Sequence, residues 1–409
     1  MTHSQPETVA ASSPTGHFSE WLLADGAKIP TVKELMKQLS ARLIDEGFPI
    51  FRLLILIRTL HPQVLGIQYE WRRDTGTVIE QLPPHGMLRK SQYLDSPMSA
   101  IFDGDAQVIR RRLDTPDPRL DYPILQELLA EGATDYVAMP LTFTDGKINA
   151  VTIASDRQGG FLDEQLNQIY DMLPVLSLLL ENHSNRRTAR TLLETYLGKH
   201  TGNMVLDGMV KRGDGEKIHA VIWFCDLRDS THLAETLSLD SFLGVLNDYF
   251  DCMAGAVLDH GGEVLRFIGD AALAIFPIGG TSKLLEEACT PTEGACKRAL
   301  DAAKDARQRI DALNKRRQEA GDPPIHYGLA LHVGDVMYGN IGIPQRLEFT
   351  VIGKAANEAA RLEGMCKELG EQILLSSAFP RCFPGEMRSL GTHSLKGVSE
   401  PQEIFALTH

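Results

Sequence analysis

With 409 residues, the chain is longer than one hydrophobic core usually organises, so two domains and a connector are expected. A hydrophobic content of 43% supports folded domains, while a formal charge of −13 and a pI near 5.5 argue against a nucleic-acid partner, whose phosphates favour a basic face. The longest apolar runs, "LLILI" and "MLPVLSLLL", fall far short of a bilayer span, and no membrane partner is expected. Six cysteines, all between Cys225 and Cys382 and without CxxC spacing, read as reduced thiols of a cytoplasmic protein.

Residues 1–18, "MTHSQPETVAASSPTGHF", offer little to bury and are expected to form a disordered arm. The pattern then predicts a helix over 32–44, strands over 49–57 and 64–72, a polar stretch containing proline, a short helix over 96–102 and a helix in "PILQELLAEG". A hairpin follows in "DYVAMPLTFTDGKINAVTIAS", turning at Asp145-Gly146. This α+β arrangement, taken as residues 19–161, has the size of a sensor. It resembles a GAF domain, with "SPMSAIFDGDAQVI" and the closing hairpin followed by "GGFLDEQLNQI" at the matching places. The resemblance implies a regulatory domain that takes a small-molecule or protein regulator of unknown identity. His61, in "TLHPQVLG", is weighed as a haem or metal ligand, but no partner spacing supports it and a structural or surface role is preferred.

Across 162–200, Leu162, Leu166, Ile169, Leu173, Leu176, Leu180, Leu193 and Leu197 recur at helical spacing. Two readings stay open: a coiled-coil-like connector that pairs two chains, and an amphipathic helix packed on its own domain. Pro174 is expected to kink or break this helix.

After Lys217 the pattern predicts a strand over 220–225, a helix over 230–255, a hairpin over 263–276 and a long helix over 292–320. Next come a strand in "IHYGLALHVG", a short strand near "LEFTVIG", a helix in "AANEAARLEGMCKELG" and closing strands. The first part is a βαββαβ, ferredoxin-like unit. Asp226 ends the first strand, and Asp270 sits in a Gly-Asp gap that is, taken alone, an ordinary hairpin turn. If the two strands are sheet neighbours, both carboxylates hang off one edge. Two such oxygens with a backbone carbonyl suit Mg²⁺ or Mn²⁺.

The blocks "FCDLRDST", "RFIGDAALAIF", "HVGDVMYGNIG", "FTVIGKAANEAARLE" and "SLKGVSEPQEIFAL" together resemble the catalytic domain of class III adenylyl and guanylyl cyclases, over about residues 216–407. The domain is taken as 201–409. The resemblance implies a homodimer with two symmetric sites, paired through the catalytic domains and the connector helix, each site making 3′,5′-cyclic AMP and pyrophosphate from ATP with two metal ions. Position by position, it implies Asp226, Asp270 and the Leu227 carbonyl as ligands of Mg²⁺ or Mn²⁺, and Ser230 and Thr231 beside the triphosphate. It further implies Asn357 on the ribose, Arg361 on the α-phosphate and Lys396 on the outer phosphates. Asn357 and Arg361 lie four apart and share one helix face. Without the resemblance, Arg361 is a solvated helix residue and Lys396 a loop lysine.

Base choice rests on two positions. Four residues before Asp270, relatives that use ATP usually carry Lys and those that use GTP carry Glu; this chain has Arg266. Seven residues before Asn357 stands Thr350, as in one subgroup of ATP enzymes that includes bicarbonate-responsive cyclases. Arg donates only, so it serves adenine N1 and cannot accept the N1–H of guanine, although it can donate to guanine O6. ATP is therefore expected. Lys354 and Asp229 depart from the Asp and Gly common in the family, and "GKAAN" is not a P-loop. The alternatives are a guanylate cyclase and a non-catalytic nucleotide-binding regulator; a diguanylate cyclase is opposed by the missing Gly-Gly-acid-Glu-Phe turn.

Overall fold

The computed structural model describes residues 17–89, 94–104, 107–279, 291–382 and 387–408. The chain divides into two units, Met1–Leu192 and Leu193–His409.

In the first unit, β1 (Ile50–Arg58), β2 (Gly66–Arg72), β3 (Val78–Gln81), β4 (Ile109–Arg112), β5 (Asp135–Thr142) and β6 (Ile148–Ser155) form an antiparallel sheet in the order β3-β2-β1-β6-β5-β4. The unbroken apolar run of β1 follows from burial on both faces. Leu53, Ile55 and Ile57 join one core with α1 (His17–Ala24) and α2 (Val32–Asp45), while Leu54 and Leu56 join another with α3 (Pro97–Phe102) and α4 (Pro123–Ala130). Residues 1–16 of the expected arm lie outside the described residues; His17 and Phe18 begin α1, and Phe18 is buried. β4 escapes a sequence reading because it reads "IRRR". Its charge is absorbed in the fold, for Arg110 reaches the buried Asp135 at 2.9 Å and Arg111 reaches Asp121 at 2.7 Å.

Helix α5 (Asp163–Leu197) runs through Pro174 without the expected break. Its Ile169, Met172, Leu173, Leu176 and Leu180 are buried in the core shared with α1 and α2, so its first half is an amphipathic helix packed on its own domain.

The second unit holds α6 (Lys199–Leu206), β7 (Gly215–Leu227), α7 (Ser230–Thr236), α8 (Leu239–Asp259), β8 (Glu263–Ile268), β9 (Ala271–Pro277), α9 (Pro291–Ala320), β10 (Tyr327–Ile343), β11 (Arg346–Ile352), α10 (Lys354–Leu369), β12 (Ile373–Ser376), β13 (Met387–His393) and β14 (Gln402–Leu407). The sheet runs β13-β14-β12-β10-β7-β9-β8, with β11 paired to β10. Its β10-β7-β9-β8 segment is the 4-1-3-2 order of a ferredoxin-like βαββαβ unit. The single helix expected over 230–255 is two, because Leu237 turns extended and Ser238 Oγ accepts from Ser241 N at 3.2 Å to cap a new helix. α8 and α9 cover one sheet face, where Ala299, Ala302, Ala303 and Ala306 let α9 approach closely; α10 covers the other with Ala355 and Ala359.

A buried polar knot ties α6 to this sheet. Glu263 Oε1 accepts from Thr201 N at 3.1 Å, from Thr201 Oγ1 at 2.8 Å and from the Tyr338 hydroxyl at 2.9 Å. Thr201→Val is expected to lower the unfolding free energy by about 1–3 kcal/mol, because it strips a donor from a buried carboxylate. Urea denaturation of the full chain checks this, with Thr201→Ser expected to stay near wild type.

Candidate active site

Strands β7 and β9 are neighbours, with Asp226 opposite Ala271, so Asp226 and the Asp270 that precedes β9 share one sheet end. Gly269 supplies the positive φ (65°) that the turn requires, and Leu227 N donates to the Asp270 carbonyl at 3.3 Å. The two carboxyl groups are close enough for the charge of one to act on the other. Burial, then the Asp270 charge, raises the Asp226 carboxyl to about 6, and its Oδ1 is buried without a protein partner. Crowded like charges and an orphaned oxygen fit a hard divalent cation. Among the described residues no group of three or more His, Cys, Asp or Glu side chains gathers around one point, so such an ion would complete its shell from a carbonyl, substrate and water. A cavity of about 370 Å³ opens beside the pair, lined by Ser230, Thr231, Phe242, Leu246, Gly269 and Asp270. Asp229 enters α7 at φ 55°, the left-handed region.

Behind the pair lies Glu363 of α10, buried and ion-paired with Arg228, whose Nη2 is 2.8 Å from the Glu363 Oε1 and donates to the Glu363 carbonyl at 3.3 Å. Burial, opposed by Arg228 and reinforced by Asp226 and Asp270, raises its carboxyl to about 7. The Arg228–Glu363 bridge passes over Gly328 of β10, where any Cβ would overlap both side chains.

A second concavity, of about 260 Å³, lies on α10 and the loop before β14. It is lined by Lys354, Asn357, Glu358, Arg361, Lys396 and Gly397. Asn357, Arg361 and Lys396 are exposed, one helical turn separating the first two. Glu358 between them is buried and held by His332 Nε2 at 3.2 Å, Lys354 Nζ at 3.3 Å and Gln402 Nε2 at 3.2 Å. That anchor fixes the rotation of α10, so Asn357 and Arg361 face outward. Burial lowers the His332 pKa, opposed by Glu358. On the adjoining strands, Arg266 Nη1 pairs with Glu348 Oε1 at 3.0 Å, and Thr350 is buried with its hydroxyl unpartnered.

The acidic and the cationic concavities of one chain share no lining residue. Residues 215–408 match the family described as the adenylate and guanylate cyclase catalytic domain. Residues 215–408 are a class III nucleotidyl cyclase domain. The cyclase-bearing chain is 35% identical over 164 residues to an adenylate cyclase of Anabaena cylindrica, covering 39% of this chain and 30% of that protein. It is 31% identical over 186 residues to adenylate cyclase 1 of Rhizobium meliloti (strain 1021), covering 44% and 26%. The chain thus spans under a third of these relatives' lengths. The crystal structure of the adenylyl cyclase CyaB from P. aeruginosa superposes with a TM-score of 0.42 at 24% identity, covering 48% of this chain and 96% of that one. Class III cyclases generally use divalent metals.

Of the expected site residues, the cyclase domain brings together Asp226, Asp270, Ser230 and Thr231 in one place, with Leu227 the buried last residue of β7, and Asn357, Arg361 and Lys396 in another. Arg266 and Thr350 lie on separate strands. Sequence reasoning missed Arg228, Glu348, Glu358 and Glu363, each of which acts through a partner distant in sequence; only the position of Glu358 beside Asn357 hinted at a role. His61 accepts from Gln63 N at 3.0 Å, an ordinary loop contact. In the first unit a cavity of about 360 Å³ is lined by residues that include Leu54, Met98, Leu128 and the Arg52–Glu70 pair. No helix among the described residues is long and apolar enough to cross a membrane.

Proposed function

We propose that this chain is an adenylate cyclase that forms 3′,5′-cyclic AMP and pyrophosphate from ATP at two symmetric sites of a homodimer. The observation that carries this reading is that one chain bears both halves of the site, apart: an acidic pair with an orphaned oxygen, and a cationic concavity around Asn357 and Arg361. A two-fold dimer joins the acidic half of one copy to the cationic half of the other, twice. Phe267, Ile268, Met337 and Ile352 support a contact between copies, being exposed apolar side chains on the strands that border these halves.

Asp226, Asp270 and the Leu227 carbonyl would hold the divalent ions, whose charge would make the ribose 3′-hydroxyl more acidic and offset that of the pyrophosphate. Ser230 and Thr231 present hydroxyl groups to the triphosphate beside Asp270. From the second copy, Asn357 orients the ribose so that the hydroxyl lies in line with the α-phosphorus. Arg361 meets the charge that develops on the α-phosphate, and Lys396 holds the outer phosphates. Arg266 donates to adenine N1, with Thr350 beside it. The cavity of the first unit, with apolar walls and an Arg–Glu pair, is where a small-molecule regulator would bind.

Incubating the chain with ATP and with GTP in parallel, in Mn²⁺, tests the reading. Cyclic AMP is the expected product, absent after chelation with EDTA. Tight ATP binding without any cyclic product would overturn it in favour of a nucleotide-binding regulator.

A further inference from the structure

The groups expected to read the base leave one requirement unmet. Adenine and guanine differ where they face a protein: adenine offers a donor at position 6 and an acceptor at N1, guanine an acceptor at O6 and a donor at N1. Arg266 only donates, and therefore satisfies adenine N1 and guanine O6 alike. The Thr350 hydroxyl donates or accepts, so it fits the adenine amino group or guanine O6 with equal ease. Neither of them rejects guanine.

An acceptor-only group stands beside both. Glu348 lies two residues before Thr350 on β11, on the same side of the strand, and its Oε1 is 3.0 Å from Arg266 Nη1. Thr350 is only 2% exposed, whereas the Glu348 side chain is 41% exposed. The corner also holds unmet hydrogen-bonding capacity, since Arg266 Nε and Thr350 Oγ1 are buried without protein partners. The ion pair fixes where the guanidinium points and leaves further carboxylate lone pairs for a second donor.

From this geometry we propose that Glu348 is the residue that selects adenine. One carboxylate oxygen holds Arg266 toward N1 while the carboxylate accepts from the adenine amino group. Guanine would set O6, an acceptor, against that carboxylate and leave its own N1–H facing a donor. This deepens the proposed cyclase reading and rests on it, but its test can fail separately.

The test uses the full chain in Mn²⁺, as wild type, Glu348→Gln and Glu348→Asp. Two quantities are measured: kcat/KM for ATP and GTP, and binding of 3′-deoxy-ATP and 3′-deoxy-GTP, which lack the hydroxyl needed to cyclise. The Gln amide can turn its NH₂ toward guanine O6, so Glu348→Gln is expected to lower the preference for adenine roughly tenfold in both assays, chiefly by gain on guanine. Glu348→Asp is expected to restore most of the preference. A Gln variant whose adenine preference stays within about twofold of wild type in binding overturns the inference, as does a wild type that binds both analogues equally or not at all. A wild type that makes no cyclic product, yet binds the adenine analogue selectively and loses that selectivity in the Gln variant, would sink the catalytic reading and uphold this one.

Discussion

Asp270→Ala and Arg361→Ala proteins, each nearly inactive alone, are expected to recover cyclic AMP formation when mixed and allowed to exchange subunits. In the proposed homodimer each variant would repeat its lesion in both sites. A mixed dimer would gather both lesions into one site and leave the other intact, because the proposal brings Asp270 and Arg361 into a given site from different copies. Random exchange at equal concentrations makes half of the dimers mixed, so activity should approach about one quarter of wild type. Arg361→Ala alone should lower kcat by roughly 10²–10³-fold, the usual scale for removing a group that meets charge in the transition state. Asp270→Ala should lose still more, since Asp226 alone would have to retain the ions. Recovery of nothing, with exchange verified by size and tag capture, would show that both residues serve a site within one copy.

The second large effect concerns stability. Arg228→Met should lower the unfolding free energy by about 3 kcal/mol, because it abandons a buried carboxylate beside two others. Adding Glu363→Gln to the same chain should recover most of that loss, whereas two independent contributions would simply add. Denaturant titration of the wild type, both single variants and the double variant closes the cycle. Additive losses would mean that Arg228 and Glu363 matter for packing alone.

Much of the second unit was legible because its chemistry is local in the chain. Asp226 ends an apolar run and Asp270 occupies a turn, but taken alone the latter is an ordinary hairpin; Asn357 and Arg361 share a helix face by spacing, and only the resemblance to class III cyclases singles them out. The pairing of β7 with β9, which a sequence can only suppose, makes the two acids neighbours. Helix boundaries were less legible: a run that looked continuous over 230–255 hides the cap at Ser238, whose hydroxyl competes for the backbone. Strand β4 was hidden by three arginines, whose partners Asp135 and Asp121 become visible only after folding. The same holds for Arg228, Glu348, Glu358 and Glu363. A charged residue looks solvated until the fold supplies the group that neutralises it.

The two acids hold different places in the sheet. Asp226 belongs to a strand hydrogen-bonded on both flanks, whereas Asp270 sits at the turn of the outermost hairpin, whose far strand β8 has, among the described residues, a strand neighbour on one side only. That hairpin is tied at both ends: Leu227 N donates to the Asp270 carbonyl at the turn, and Glu263 at the root of β8 is gripped from α6, so the spacing of the two acids rests on anchors in the inner strand and in the helix.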